Sequence, residues 1–435
     1  MDENSKAALT GEPGIAAPVS AGKPPFAATK TEKILAFCMF PAAYLYVELF
    51  NAGSTRSLYI LLALFALVFC AMAALLCRPA ETPKESWVWL GCIAVILVSL
   101  LAGRSRVWGE ALPVFFVHVF AVYWVLSRSG RLVSGESGHL LPLDALDGFV
   151  VFPFRHFFLR IKTLGAALLG RGSGARKSPG AILLIIAALL AAFGLLAAAA
   201  QLLSSADDNF GALVGGALDA LRSAVNFNVL INLLVSLPVG AYLFGLLAGT
   251  AREDTAALRE RGERTSAALA ALRRIPGGVW VAVLAVFAAM YLAFFWIQGG
   301  YLFGAFSRTL PAGFTVAQYA RQGFFELCKV MALNLALLWL VTRSASVPPR
   351  KNRPLLIFST VLLAESVLLA VVALSKLALY ISCFGFTPLR LQSSWLVCVL
   401  LFACVCALYS LWTGKKSMRA WMIFGAVTLS LLHLY

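Results

Sequence analysis

Eleven apolar runs, each close to the roughly 20 residues a helix needs to cross a bilayer, follow one another through this sequence. They fall near 34–50, 57–77, 86–102, 109–126, 179–202, 227–250, 278–298, 322–342, 354–376, 393–413 and 418–435. A backbone in lipid has no water to bond, so each run must close its own hydrogen bonds, and a helix does this within one segment. The expected fold is all-α, a polytopic transmembrane helix bundle of about eleven spans. Only 13% of the residues are charged, against roughly a quarter in a soluble domain.

The net charge of +16 invites a nucleic-acid reading, but the basic residues are spread through the connections and form no single basic face. Topology accounts for them. Counted over alternate connections, one set holds 27 Lys and Arg and the other holds 6. By the positive-inside rule the rich set is cytoplasmic, which puts the N-terminus in the cytoplasm and the C-terminus outside. No signal-peptide pattern precedes the first run, so it reads as a retained span.

The organisation expected is a disordered cytoplasmic tail over 1–33, a four-helix membrane part over 34–126, a cytoplasmic connection over 127–178, two spans over 179–250, a charged helix or linker over 251–277, and a five-span part over 278–435. Within the first connection, Leu143 to Leu168 mixes five Phe with Arg155, His156, Arg160 and Lys162, the composition of an amphipathic helix at the membrane surface. Gly170 to Ser178 is glycine-rich and ends in Lys-Ser, but Arg176 stands where a phosphate loop needs Gly and no strand precedes it. The segment Ala251 to Arg274 carries the i,i+4 pairs Arg259 with Glu263 and Glu260 with Arg264, which favour a solvated helix.

Nine cysteines, nearly all inside apolar runs and none in a C-x-x-C pair, read as small packing residues. Four dispersed histidines leave no metal-ligand spacing, and no cofactor is expected.

Polar groups inside the spans are costly and need a reason. The stretch Tyr291 to Asn334 joins two apolar runs through a glycine- and aromatic-rich turn, and its second run carries Arg321, Glu326, Lys329 and Asn334. At about 100° per residue, Tyr319, Glu326, Lys329 and Asn334 share a sector of about 140°, with Arg321 at its edge. Glu326 and Lys329 are three apart and can neutralise each other. On the next helix Glu365 lies roughly 16 Å deep, on the face of Lys376 and near that of Tyr380, at a depth that suits a cross-helix ion pair with Lys329. Asn228, Asn232, Glu48, Glu110 and His118 are further intramembrane candidates.

The block Tyr319-Ala-Arg321-Gln-Gly-Phe-Phe-Glu326-Leu with Asn334, followed by Leu379-Tyr380, Gly385, Thr387 and Arg390, resembles the bacterial integral-membrane family known as domain of unknown function 4173, with its Y-A-R-x-G-F-F-E-L and L-Y-x-x-x-x-G-x-T-x-x-R blocks. The resemblance covers about 290–395, and Ser375-Lys376-Leu377 stands where that family shows an Arg-Met pair. It implies a multi-pass protein of the bacterial cytoplasmic membrane and carries no established activity. The candidate polar cluster is thus Tyr319, Arg321, Glu326, Lys329, Asn334, Glu365, Lys376, Tyr380, Thr387 and Arg390.

Three functional readings follow. The first is a permease-like protein with this cluster in the outer half of the membrane. The second is a scaffold or signalling component that recruits a protein partner through Leu143 to Lys177 and Ala251 to Arg274. The third is an intramembrane enzyme on a lipid or envelope precursor, disfavoured because no His/Asp, His/Glu or Cys/His constellation has readable spacing. The lipid bilayer is the expected partner, nucleic acid is not, and oligomeric state is not legible.

Overall fold

The computed structural model describes residues 26–78, 83–104, 109, 111–168, 191–216 apart from 193, 197, 206, 208 and 209, and then 227–307, 313, 315–321 and 324–435. Among the described residues the regular backbone is helical, apart from one isolated bridge between Ile275 and Ala345. Among the described residues, nine helices are long and apolar enough to cross a membrane. The protein is a multi-pass membrane protein.

The first four helices are α1 (Lys30–Glu48), α2 (Thr55–Leu76), α3 (Lys84–Leu101) and α4 (Ala111–Arg128). Three short helices follow, α5 (Leu141–Leu146), α6 (Phe152–Arg155) and α7 (Leu159–Leu168). Next come α8 (Phe227–Phe244), α9 (Thr255–Ala271), α10 (Gly277–Ser307), α11 (Val316–Arg321) and α12 (Phe324–Ser344). The chain closes with α13 (Arg353–Phe384), α14 (Pro388–Thr413) and α15 (Met418–Leu432).

Of the eleven expected spans, nine coincide with long apolar helices. The run 179–202 falls largely outside the described residues. The last run forms only the 15-residue α15, about 22 Å long and so short of the ~30 Å hydrocarbon core. The expected tail also loses its last residues to α1, because Thr29 and Glu32 form a capping box that starts the helix at Lys30.

The helices pack as two groups. In the first, α1, α2, α3, α4 and α8 enclose a core that includes Trp89, Trp124, Phe152 and Phe244. In the second, α13 is the central helix, in contact with α10, α11, α12 and α14. Helix α15 lies against both α14 and α3, where Trp395 donates to Thr428 Oγ1 at 3.0 Å and Trp421 donates to the Val399 carbonyl at 3.1 Å. The outward faces carry large apolar side chains such as Leu67, Leu234, Trp296 and Ile297. Such a surface would be an aggregation hazard in water and is the natural one in lipid.

One end of the bundle gathers the Lys- and Arg-rich connections. Arg252, past the end of α8, grips Glu32 at the start of α1 at 2.6 Å. Arg419, in the first turn of α15, meets Glu85 at 3.1 Å and also Glu136. Arg350 donates to the Thr413 carbonyl at 3.0 Å, and Ile275 and Ala345 bridge the start of α10 to the end of α12. Helix α13 therefore runs from this basic end, where Asn352 caps it, to the opposite end, where Gly385 turns the chain at φ 75°.

The expected single amphipathic helix over Leu143 to Leu168 is instead broken into α5, α6 and α7 and wedged into the basic end. Phe152, Arg160 and Thr163 are buried there, while Phe154 and Phe158 remain exposed. Two π-helical turns, Asp147–Val151 and Gly245–Gly249, accompany the wedge. The approach is so close that a Cβ on Gly245 would lie 2.5 Å from the Pro153 carbonyl oxygen.

Candidate functional site

The polar centre of the second group is built on α13. Its neighbours contribute one side chain each, so the site depends on how the helices pack. From α10, Tyr291 donates its hydroxyl to Asn334 Oδ1 at 2.7 Å. From α12, Asn334 donates Nδ2 to Ser366 Oγ at 2.9 Å, and Ser366 in turn donates to the Leu362 carbonyl at 2.8 Å. Asn334 and Ser366 are completely buried. Three helices are thus joined by one closed hydrogen-bond chain.

Glu365 sits beside this chain and outside it. The residue is only 6% exposed, and among the described residues neither carboxylate oxygen has a hydrogen-bond partner. It lies near enough to Tyr291 to act on it electrostatically. A carboxyl group in such surroundings either holds a proton or draws in water, because an isolated buried charge is far too costly.

Three turns further along, Lys376 is 1% exposed and places Nζ 4.5 Å from the centre of the buried Tyr319 ring. The cation meets the negative face of the ring, an interaction strengthened by the burial of both side chains. At the end of α13, Arg390 from α14 lies 4.0 Å over the Tyr380 ring. Its Nη1 donates to the Phe384 carbonyl at 2.9 Å and also to that of Gly385. Thr387 occupies the N-cap position of α14, with Pro388 in its first turn. Between α12, α13 and α14 a cleft of ≈ 640 Å³ opens, lined among others by Phe324, Tyr380, Thr387 and Arg390.

The structure therefore brings Asn334 and Glu365 together at one level, and Tyr319, Lys376, Tyr380, Thr387 and Arg390 towards the end opposite the basic connections. It does not bring in Glu326 or Lys329. Both are exposed, and no ion pair joins them to each other or to Glu365 among the described residues. The reason is helical phase. Phe324, Leu327, Met331, Asn334, Leu338 and Val341 form the buried stripe of α12, and at about 100° per residue Lys329 lies opposite its centre. Both charges fall in the first two turns of α12, within reach of the interface by extending along the helix. Arg321 ends α11, and its side chain is outside the description.

Two residues of the centre carry no charge and so escape a search for charges, namely Tyr291 and Ser366. Their signal was available: Tyr291 faces a run containing Asn334, and Ser366 adjoins Glu365. Elsewhere, Asn232 donates to Glu48 at 3.0 Å and accepts from Asn51 at 3.0 Å, tying α8 to the end of α1. His118 lines a cavity of only ≈ 20 Å³ with Tyr46 and Phe65, about one water's worth. Glu110 lies outside the described residues.

The basic end holds a second polar layer. Asp144 accepts from the Val133 amide at 2.8 Å but is almost fully buried. Burial, reinforced by Asp147 and Glu85, outweighs that bond and the nearby Arg261 and pushes its carboxyl up to about 7. Asp147 is paired with Arg261. Glu253 accepts from His156 at 2.8 Å and from Arg155 at 3.1 Å, and the His156 hydrogen bond foremost holds its carboxyl below the usual range. Among the described residues no group of three or more His, Cys, Asp or Glu could hold a metal ion.

No curated protein and no solved structure matches the chain. A family profile does, over residues 34–435. The coarse part of the motif resemblance, membership of a family without an assigned function, holds, whereas the number 4173 and its two blocks are not confirmed. The chain belongs to the family described as domain of unknown function (DUF4153).

Proposed function

We propose that this protein is a permease-like protein of the bacterial cytoplasmic membrane in which Glu365 takes up and releases a proton on the pathway. The observation that carries the reading is the buried, unpartnered carboxyl of Glu365 beside a hydrogen-bond chain that is complete without it. Fixing the register of α10, α12 and α13 is a structural task, and Tyr291, Asn334 and Ser366 perform it. A carboxyl retained next to them at a cost in stability has another use, and an ionisable group inside a span points first to an ion or solute pathway. The Lys and Arg count supports a cytoplasmic basic end, and in that orientation the cleft beside Tyr380 and Arg390 opens outwards.

The scaffold reading loses ground because much of the charge on its proposed docking loops is spent internally, in the Arg252 to Glu32, Arg261 to Asp147 and Glu253 to His156 contacts.

The test is proton flux. Proteoliposomes holding a pH-sensitive dye and carrying the wild-type chain should collapse an imposed pH gradient faster than empty vesicles, and Glu365→Gln should return them to the empty-vesicle rate. Wild-type vesicles no faster than empty ones, or a Gln variant as fast as wild type, overturn the reading.

A further inference from the structure

The cleft at the far end of α13 has a chemistry of its own. Its volume of ≈ 640 Å³ falls within the roughly 300–1,000 Å³ of ligand sites. One wall is apolar, made by Phe324, Phe325, Leu377, Leu389 and Leu396. The other is polar, made by Thr387, Arg390, Gln392 and Ser393, with no carboxylate among the described lining residues.

Arg390 is held in place before any ligand arrives. The guanidinium carbon rests 4.0 Å over the Tyr380 ring, and the carbonyls of Phe384 and Gly385, offered by the Gly385 turn, engage Nη1. That leaves Nε and Nη2 of the planar guanidinium, the edge that recognises phosphate through paired hydrogen bonds. A fixed cation costs little further order on binding. A free inorganic anion would use this edge and leave the apolar wall unfilled. An amphiphile uses both, and the cleft stands at the end of a span, where headgroups and acyl chains meet.

We propose that the cleft between α12, α13 and α14 is a binding site for a phospholipid with an anionic headgroup, the phosphate on Arg390 and an acyl chain along Phe324, Phe325 and Leu389. This goes beyond the proton pathway and stands without it, since binding requires no flux.

Native mass spectrometry of the purified protein tests it, with phosphatidylglycerol and phosphatidylcholine of identical chains as probes. The wild type should retain phosphatidylglycerol about tenfold or more in preference to phosphatidylcholine, and Arg390→Gln should abolish that preference, the effect of losing a hydrogen bond to a charged group. Leu389→Trp provides an arm independent of the Arg390 contacts. Leu389 is 73% exposed, so the larger ring is tolerated by the fold while it fills the cleft, and the preference should be lost there too. Equal retention of both lipids by the wild type, or an unchanged preference in Leu389→Trp, overturns the proposal. Displacement of the lipid by glycerol 1-phosphate as readily as by phosphatidylglycerol also overturns it, by showing a site for the soluble anion.

Discussion

Asn334 is the hub of the buried hydrogen-bond chain, and its removal provides the most quantitative test of the structure. Asn334→Ala deletes the acceptor of the Tyr291 hydroxyl and the donor to Ser366. An interhelical hydrogen bond in a membrane protein contributes about 0.6 kcal/mol on average and up to about 1.7, so two account for about 1–3 kcal/mol. The stranded Tyr291 hydroxyl adds a desolvation cost of about 1 kcal/mol or more, since it is buried. The expected loss is therefore about 2–4 kcal/mol. Tyr291→Phe removes the donor without stranding an unbonded hydroxyl and should cost about 1 kcal/mol. Reversible unfolding in mixed micelles, applied to both single variants and the double variant, reads the coupling between them. If the two share the bond, the double variant falls short of the sum by that bond plus the stranding cost it no longer bears, about 1.6–2.7 kcal/mol. Strict additivity within about 0.3 kcal/mol would refute the hydrogen bond and with it the assignment of structural work to this chain.

Further outcomes follow from the same physics. Asp144 has a higher pKa folded, about 7, than its reference value of 3.8, so its favourable contribution is complete below the lower value and is lost as pH rises through the higher one. Asp144→Asn, which keeps the acceptor for Val133, should come closest to wild type in relative thermal stability near pH 4 and gain on it steadily towards pH 8; an equal difference at both pH values contradicts the shift. Gly245→Ala must displace the Pro153 carbonyl and should cost about 2 kcal/mol or more in the same unfolding assay, whereas Gly91→Ala, with open space at its Cβ, should stabilise by about 0.5–1 kcal/mol. Glu326→Gln and Lys329→Gln should each stay within about 0.5 kcal/mol of wild type, because both side chains are exposed; a charge swap between Lys329 and Glu365 should rescue nothing.

Nine spans were legible in the sequence because lipid demands long apolar helices, and run length alone measures that demand. The 15-residue α15 shows the limit: its apolar run reaches Tyr435, but the helix ends at Leu432, and run length does not record where the backbone stops being regular. The break of Leu143 to Leu168 into α5, α6 and α7 was hidden for a different reason. Composition reports that Phe and Arg alternate there, but not that Gly245 and Gly249, a hundred residues away, let the backbone come close enough to bury Phe152 and Arg160. At the site, Glu365, Lys376, Tyr380 and Arg390 stood out as polar groups in apolar surroundings, and the structure keeps them in one half of the protein. Glu326 and Lys329 stood out equally and do not belong. Burial is set by the apolar stripe of their own helix, and the sector calculated from Tyr319 took no account of the separate starts of α11 and α12. Tyr291 and Ser366 stand in the sequence beside other polar candidates, but that both bond to Asn334 depends on how α10, α12 and α13 pack, which a single sequence does not carry.

The central claim is that Glu365 is a proton-binding carboxyl reached from the pathway, with the structural work done by its neighbours. A hydrophobic carbodiimide reports on this directly, since it modifies carboxyl groups that are protonated and accessible from the membrane interior. Mass spectrometry of the labelled protein should find the adduct on Glu365, diminishing as pH rises and abolished in Glu365→Gln with wild-type helicity retained. A protein left unmodified at Glu365 across the whole pH range would contradict the account and make this carboxyl a silent part of the helix seam.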